Sequence, residues 1–197
     1  STGRLIDRFR DRVVFPITNP DGLILGFVGR RNPTRDHDPR TPKYLNSPDT
    51  ALFHKSGQLF LPHRLLADGG TPVIVEGPLD AVAVTLASHG RYLGVAPLGT
   101  ALTDDQARQL HTLGRQPIIA TDNDPAGQAA AERDYWQLVP YRIVPRHAQL
   151  PAGTDPADLL ADHHVDQLVD ALDHAGLLAH ELLLRRLTDL PHPPAPD

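Results

Sequence analysis

Residues 72–80 read P-V-I-V-E-G-P-L-D, and residues 117–127 read P-I-I-A-T-D-N-D-P-A-G. Each is a short apolar run that stops in a carboxylate and passes through proline into a helical pattern. Proline suits the first turn of a helix, so Pro78 and Pro125 mark two helix starts. Beyond the first run, Leu79, Val82, Ala83 and Leu86 stand at i, i+3, i+4 and i+7, which predicts the apolar stripe of a helix. Y-L-G-V-A-P-L (92–98) reads as the next strand and D-D-Q-A-R-Q-L-H-T-L (104–113) as the next helix. P-A-G-Q-A-A-A-E-R-D-Y-W-Q-L-V (125–139) reads as a helix again, and Y-R-I-V-P (141–145) as a last strand. Strands alternating with helices at this spacing predict an α/β fold with a parallel sheet covered on both faces. Ligands in such sheets bind outside the carboxyl ends of the strands.

That edge is where the acids fall. Glu76 closes one strand, and Asp80 follows one turn into the next helix. In an extended segment Asp122 and Asp124 point the same way, because side chains repeat every second residue. Taken singly, two of these acids have purely structural readings. Asp124 before Pro125 is a good helix N-cap, and Asp80 complements a helix dipole. Glu76, behind three apolar residues, has no capping role. Four crowded carboxylates raise one another's pKa, and a divalent cation removes that cost. Oxygen-only donors suit Mg²⁺ or Mn²⁺.

The flanks are different in character. V-V-F-P-I-T (13–18) and L-I-L-G-F-V-G-R (23–30) surround N-P-D-G and predict a hairpin. Residues 32–50, rich in Pro, Asp, Arg and Thr, predict a surface loop. G-Q-L-F-L-P (57–62) returns to extended structure, and Asp68-Gly69-Gly70 marks a boundary. After residue 156 the signals are helical, with Val165, Leu168, Val169 and Leu172 on one stripe and a second helix over roughly 175–188. The expected organisation is a basic β-rich segment over 1–70, the parallel-sheet domain over 71–156, helices over 157–190 and a disordered proline-rich tail over 191–197.

The 197 residues are 40% hydrophobic and 22% charged, ordinary for a globular protein. No apolar run approaches the roughly 18 to 20 residues that span a bilayer, and no signal-peptide pattern opens the chain. No membrane partner and a cytoplasmic location are therefore expected. Cysteine is absent, which excludes disulfides and cysteine-based zinc sites from this segment. The net charge of −5 is uneven: residues 1–70 hold eleven Lys and Arg against seven Asp, and residues 71–197 hold eight Arg against seventeen Asp and Glu. A basic part meeting phosphates beside an acidic part holding metal suits a polymerase of nucleotides. Of the nineteen cations only Lys43 and Lys55 are lysines, and both lie in one short segment. A compact ammonium is not equivalent to a guanidinium at a phosphate.

E-G-P-L-D followed by D-N-D-P-A-G resembles the acidic signature of the TOPRIM fold, a Rossmann-like α/β domain shared by DnaG-type primases, topoisomerases, OLD-type nucleases and RecR-type recombination proteins. The upstream motifs R-F-R-D-R-V-V-F-P-I, G-F-V-G-R, P-K-Y-L-N-S-P and F-H-K-S-G-Q-L-F resemble the run that precedes TOPRIM in bacterial primases, as A-P-L-G-T-A-L-T resembles the segment between the two acidic motifs. The likeness covers residues 4 to about 160, and P-K-Y-L-N-S-P fits a nuclease poorly. It implies Glu76 as the catalytic glutamate and Glu76, Asp80, Asp122, Asp124 and Asp155 as the metal set. It also implies Arg8, Arg10, Arg30, Lys43, Asn46 and Lys55 as residues for nucleotide and template phosphates. Single-stranded DNA template and ribonucleoside triphosphates are the implied partners, with a helicase or relaxase as a further one. G-T-D-P-A-D resembles a later D-P-D motif, but Ala157 stands where the second acid is expected. The zinc-binding domain of primases and most of the basic N-terminal half of their core have no counterpart here. The expectation is thus a primase-like nucleotidyltransferase core, possessed as a fragment. The other reading is an accessory TOPRIM module that binds single-stranded DNA or a partner in a plasmid, phage or conjugation protein.

Overall fold

A computed structural model describes residues 6–35, 41–99 and 101–188. The predicted tail over 191–197 lies outside them. Strands β1 (Arg12–Thr18) and β2 (Ile24–Arg31) form the expected antiparallel hairpin. Its turn is closed by Asn19, whose carbonyl accepts the Gly22 amide at 2.9 Å and whose side chain accepts the Leu23 amide at 2.9 Å. A third strand, β3 (Tyr44–Asn46), pairs antiparallel with β2 inside the stretch read as loop. At three residues amid prolines it is too short to show a period of two. Ile17 and Val28 of this sheet pack against Phe53 and Leu98.

The second sheet holds β4 (Leu59–Phe60), β5 (Thr71–Ile74), β6 (Tyr92–Pro97), β7 (Ile118–Ile119), β8 (Arg146–His147) and β9 (Gly176–Leu177), in the order β4-β6-β5-β7-β8-β9. The four inner strands run parallel, and β4 and β9 close the edges antiparallel. Its helices are α1 (His63–Asp68), α2 (Pro78–Ala87), α3 (Asp104–Thr112), α4 (Pro125–Leu138), α5 (Pro156–Ala161), α6 (Val165–Asp173) and α7 (Leu178–Thr188). Alternation along the central chain feeds both faces. Val73 and Val75 join the layer of Ala81, Val84, Leu159, Leu168 and Leu172, from α2, α5 and α6. Ile74 joins Ala107, Leu110, Ala131, Leu138, Leu178 and Leu182, from α3, α4 and α7. From β5 the chain crosses by α2 to β6 on one side, and by α3 from β6 to β7 on the other. The direction of winding reverses at β5, which opens a crevice at its carboxyl end.

Three readings are corrected. Of the predicted stripe on α2 only Ala83 is fully buried; it is buried with Asp80, Ala81, Val84 and Ala87, Leu79 and Val82 are half-buried, and Leu86 is exposed. The helix is apolar nearly all round, so its period does not choose a face, and close packing does. Gly94 lies so near α2 that a Cβ there would come within 2.1 Å of the Ala81 carbonyl oxygen. The last parallel strand is not 141–145 but β8, after a 3-10 turn over Val139–Tyr141 and a left-handed Arg142. The final helix begins only at Leu178, because Gly176 and Leu177 form β9. The short helix α1 showed no pattern of its own.

Candidate active site

The crevice is a cavity of about 430 Å³ lined by Glu76, Asp80, Asp122 and Asp155 together with Lys43 and Tyr44. Glu76 ends the β5 run and is exposed, after Val75 has given its amide to Val95 at 2.9 Å. Asp80, in the first turn of α2, is only 7% exposed. Burial, then the charge of Asp155, pushes its carboxyl up to about 7, with Lys43 opposing and Asp122 adding to the rise. The backbone N–H of Ala157, the position at which an acid was expected, also opposes the rise. Asp122 follows β7 and is pushed up to about 6 by burial and then by Glu76, Asp155 and Asp124.

Asp122 and Asp124 do not share an extended strand. The Asp124 amide bonds back to the Asp122 carbonyl at 2.8 Å, a tight turn, and Asp122 lines the cavity whereas Asp124 does not. Asp124 is exposed and caps α4, accepting the Gly127 amide at 2.7 Å. Its charge still reaches Asp122. The glycine is a packing requirement, because a Cβ on Gly127 would meet the Asp122 carbonyl oxygen at 2.0 Å. Asp155 likewise caps α5 through the Asp158 amide at 2.7 Å.

The basic residues divide. Lys43 faces the carboxylates. Its neighbour Tyr44, missed in the sequence, has a hydroxyl that accepts the Leu79 amide at 3.4 Å, tying β3 to α2. Burial and the charge of Asp80 push that hydroxyl up to about 12. Arg30 is buried, with its guanidinium 5.7 Å from the centre of the Tyr44 ring and bonded to the Arg31 carbonyl at 2.9 Å. Arg8 braces β3 through the Asn46 carbonyl at 3.1 and 2.9 Å, and the Asn46 side chain donates to the Leu98 carbonyl at 2.6 Å. Arg10 and Lys55 are exposed and do not line the cavity.

Asp134 and Arg133 of α4 also line it and were not foreseen. Asp134 is 6% exposed, and burial pushes its carboxyl up to about 6, with the Arg133 charge and then the Leu102 backbone N–H opposing the rise. The signal lay in register: Gly127, Ala131, Asp134 and Leu138 share one buried face of α4.

Among the described residues, no three Asp, Glu or His side chains stand close enough to grip one ion as they are. The donor set nonetheless fits a hard cation. It is oxygen-only and carries more negative charge than Lys43 and Arg133 balance, and two of its carboxyls are pushed well above their ordinary range.

Comparison with known families decides the relationship. Residues 1–65 match the model of the N-terminal domain of the DNA primase catalytic core, and residues 73–160 match a Toprim-like domain. By these two matches the chain resembles the catalytic core of DnaG-type primases. It is 41% identical over 164 residues to the DNA primase of Escherichia coli K12, covering 80% of this chain and 27% of that protein. The E. coli primase catalytic core superposes with a TM-score of 0.79 at 34% identity, covering 96% of this chain and 60% of that one. A DnaG primase catalytic domain bound to single-stranded DNA gives 0.77 at 34% identity, covering 94% and 58%. The chain thus spans about a quarter of the curated relative. No helix among the described residues is long and apolar enough to cross a membrane.

Proposed function

We propose that this chain supplies the metal-holding and phosphate-facing part of a primase, an RNA polymerase that makes short primers on single-stranded DNA. The observation that carries the reading is the acidic cavity itself, with Lys43 on its rim at the winding reversal of a primase-type fold. Glu76, Asp80 and Asp122 would hold Mg²⁺ or Mn²⁺, with Asp155 beside them and Asp124 acting through its charge. A divalent ion so held neutralises charge on the phosphate oxygens. In the reaction a 3′-hydroxyl attacks the α-phosphorus of the next ribonucleotide, and pyrophosphate leaves. Lys43 draws the triphosphate to the mouth, and Tyr44 fixes Lys43 against α2. Glu76, exposed and uncapped, is free to meet the reacting groups. Arg8 and Asn46 act by shaping β3, whereas Arg10 and Lys55 are open to the template backbone. Arg30 supports Tyr44.

An accessory role is favoured by one feature. Ala157 stands where the resembled D-P-D motif places a second acid, so the cation shell is thinner. The two readings separate in a gel assay of primer synthesis with single-stranded template, ribonucleotides and Mn²⁺, run on the longest protein that carries this chain. Glu76→Gln keeps size and removes charge, and it is expected to lower synthesis about a hundredfold or more. Robust synthesis by that variant removes the cavity from the reaction. No synthesis by the unaltered protein, with DNA binding retained, establishes the accessory role.

A further inference from the structure

We infer that Gln106 is a positioning residue that fixes the turn carrying Lys55, so that the ammonium is presented to phosphate on a rigid base. The inference rests on the proposed reading of Lys55 as a phosphate contact. Gln106, on α3, is a neutral polar side chain only 1% exposed. Its amide nitrogen donates to the Gln58 carbonyl at 2.6 Å and to the Lys55 carbonyl at 3.4 Å, and its oxygen accepts the Thr103 amide at 3.0 Å. The Thr103 hydroxyl donates to the Ser56 carbonyl at 2.6 Å, and the Gln109 amide donates to the Gly57 carbonyl. Four successive carbonyls, 55 to 58, are therefore taken by side chains from the start of one helix. The turn is also closed by its own Gly57 amide to the His54 carbonyl at 2.9 Å and by the Lys55 amide to the Asp49 carboxylate at 3.3 Å.

A surface turn needs none of this, since water satisfies its carbonyls. What the clamp adds is order before binding. A long cationic side chain on a fixed backbone loses less freedom when it meets a phosphate than one on a mobile loop. Lys55 is exposed, and among the described residues no carboxylate pairs with its ammonium. The clamp stands beside the acidic cavity: Gly99 and Ala101, just before Thr103, line that cavity. The same loop thus holds the Lys55 turn on one side and borders the cavity on the other.

The test is a double-mutant cycle on the whole chain: unaltered protein, Lys55→Ala, Gln106→Leu and the pair, with thermal melts to confirm folding. Two probes are titrated, a labelled oligothymidylate over a range of salt, and ATP with Mn²⁺ by calorimetry. Lys55→Ala should weaken one of them about fivefold, and for the oligonucleotide it should lower the salt slope by about 1. Gln106→Leu should reproduce most of that loss with the protein folded, and should add nothing once Lys55 is gone. Loss on the oligonucleotide alone assigns the phosphate to template, and loss on ATP alone assigns it to the incoming nucleotide; both support the inference. Equal losses from Gln106→Leu with and without Lys55, or no loss with Lys55 present, overturn it. Silence of Lys55→Ala on both probes overturns the Lys55 reading itself, and the inference with it. Should Gln106→Leu not fold, Gln109→Leu releases only the Gly57 carbonyl. It should give a smaller loss that is likewise absent without Lys55, and a loss that persists there counts against the inference.

Discussion

Asp124 shows how one carboxylate serves two ends. Its oxygen caps α4 through Gly127, and its charge is felt by Asp122. The D-N-D spacing suggested two ligands on one strand, but the backbone turns between them, so capping is the contact the geometry shows. Asparagine caps as well as aspartate and carries no charge. Asp124→Asn should therefore leave thermal stability nearly unchanged, while Asp124→Ala costs about 1 kcal/mol in denaturant melts. Equal destabilisation by both would place the value of Asp124 in its charge. Asp134 was illegible for a different reason, because an Asp in E-R-D-Y-W reads as a solvated helix charge until packing is known. Its carboxyl is raised from 3.8 to about 6, chiefly by burial. The folded state thus holds the proton more tightly than the unfolded chain does. The stability this lends is complete below about pH 4 and is lost as pH rises through about 6, a fall of about 3 kcal/mol at most. In Asp134→Asn that part of the pH dependence should vanish, as read from denaturant midpoints on either side of pH 6. An unaltered fall would assign it to the other cavity carboxylates instead.

Elements were legible where local chemistry declares them. Thr103-Asp-Asp-Gln106 forms the capping box that starts α3, with the side chains of Thr103 and Gln106 each bonded to the other's backbone amide. D-P opens α4 and Asn19 to Gly22 turns the hairpin as read. Two-residue strands such as β7, β8 and β9 carry no period, and the chain commits to them only through neighbours: Ile118 and Ile119 are held by Val73 and Ile74 on one side and by Arg146 and His147 on the other. The face of α2 was misread because small residues, not large ones, allow the approach to β6. The same kind of contact governs the start of α4. Gly127→Ala should destabilise the protein by about 1 to 3 kcal/mol and displace Asp122, because its added methyl has a carbonyl oxygen in its place. Melting curves read the first effect. A weakened Mn²⁺ affinity reads the second, and a fully stable variant would show that α4 can shift without cost.

Across the whole molecule, the charge asymmetry of the chain becomes a spatial one. The basic three-stranded sheet delivers Lys43 to an acidic crevice where the sheet order reverses, joined by Tyr44 and by the Asn46 bond to Leu98. The crowding of carboxyls there, with Asp80 raised to about 7 and Asp122 to about 6, is a standing cost to the folded protein at and above neutral pH. A bound divalent cation would relieve that cost and stabilise the fold by mass action. The direct measurement is a calorimetric titration of Mn²⁺ into the chain at mildly alkaline pH, paired with thermal melts, for the unaltered protein and for Asp80→Asn/Asp122→Asn. The account predicts saturable heat and a raised melting midpoint in the unaltered protein, with both lost in the double variant. No heat and an unmoved midpoint in the unaltered protein would contradict it.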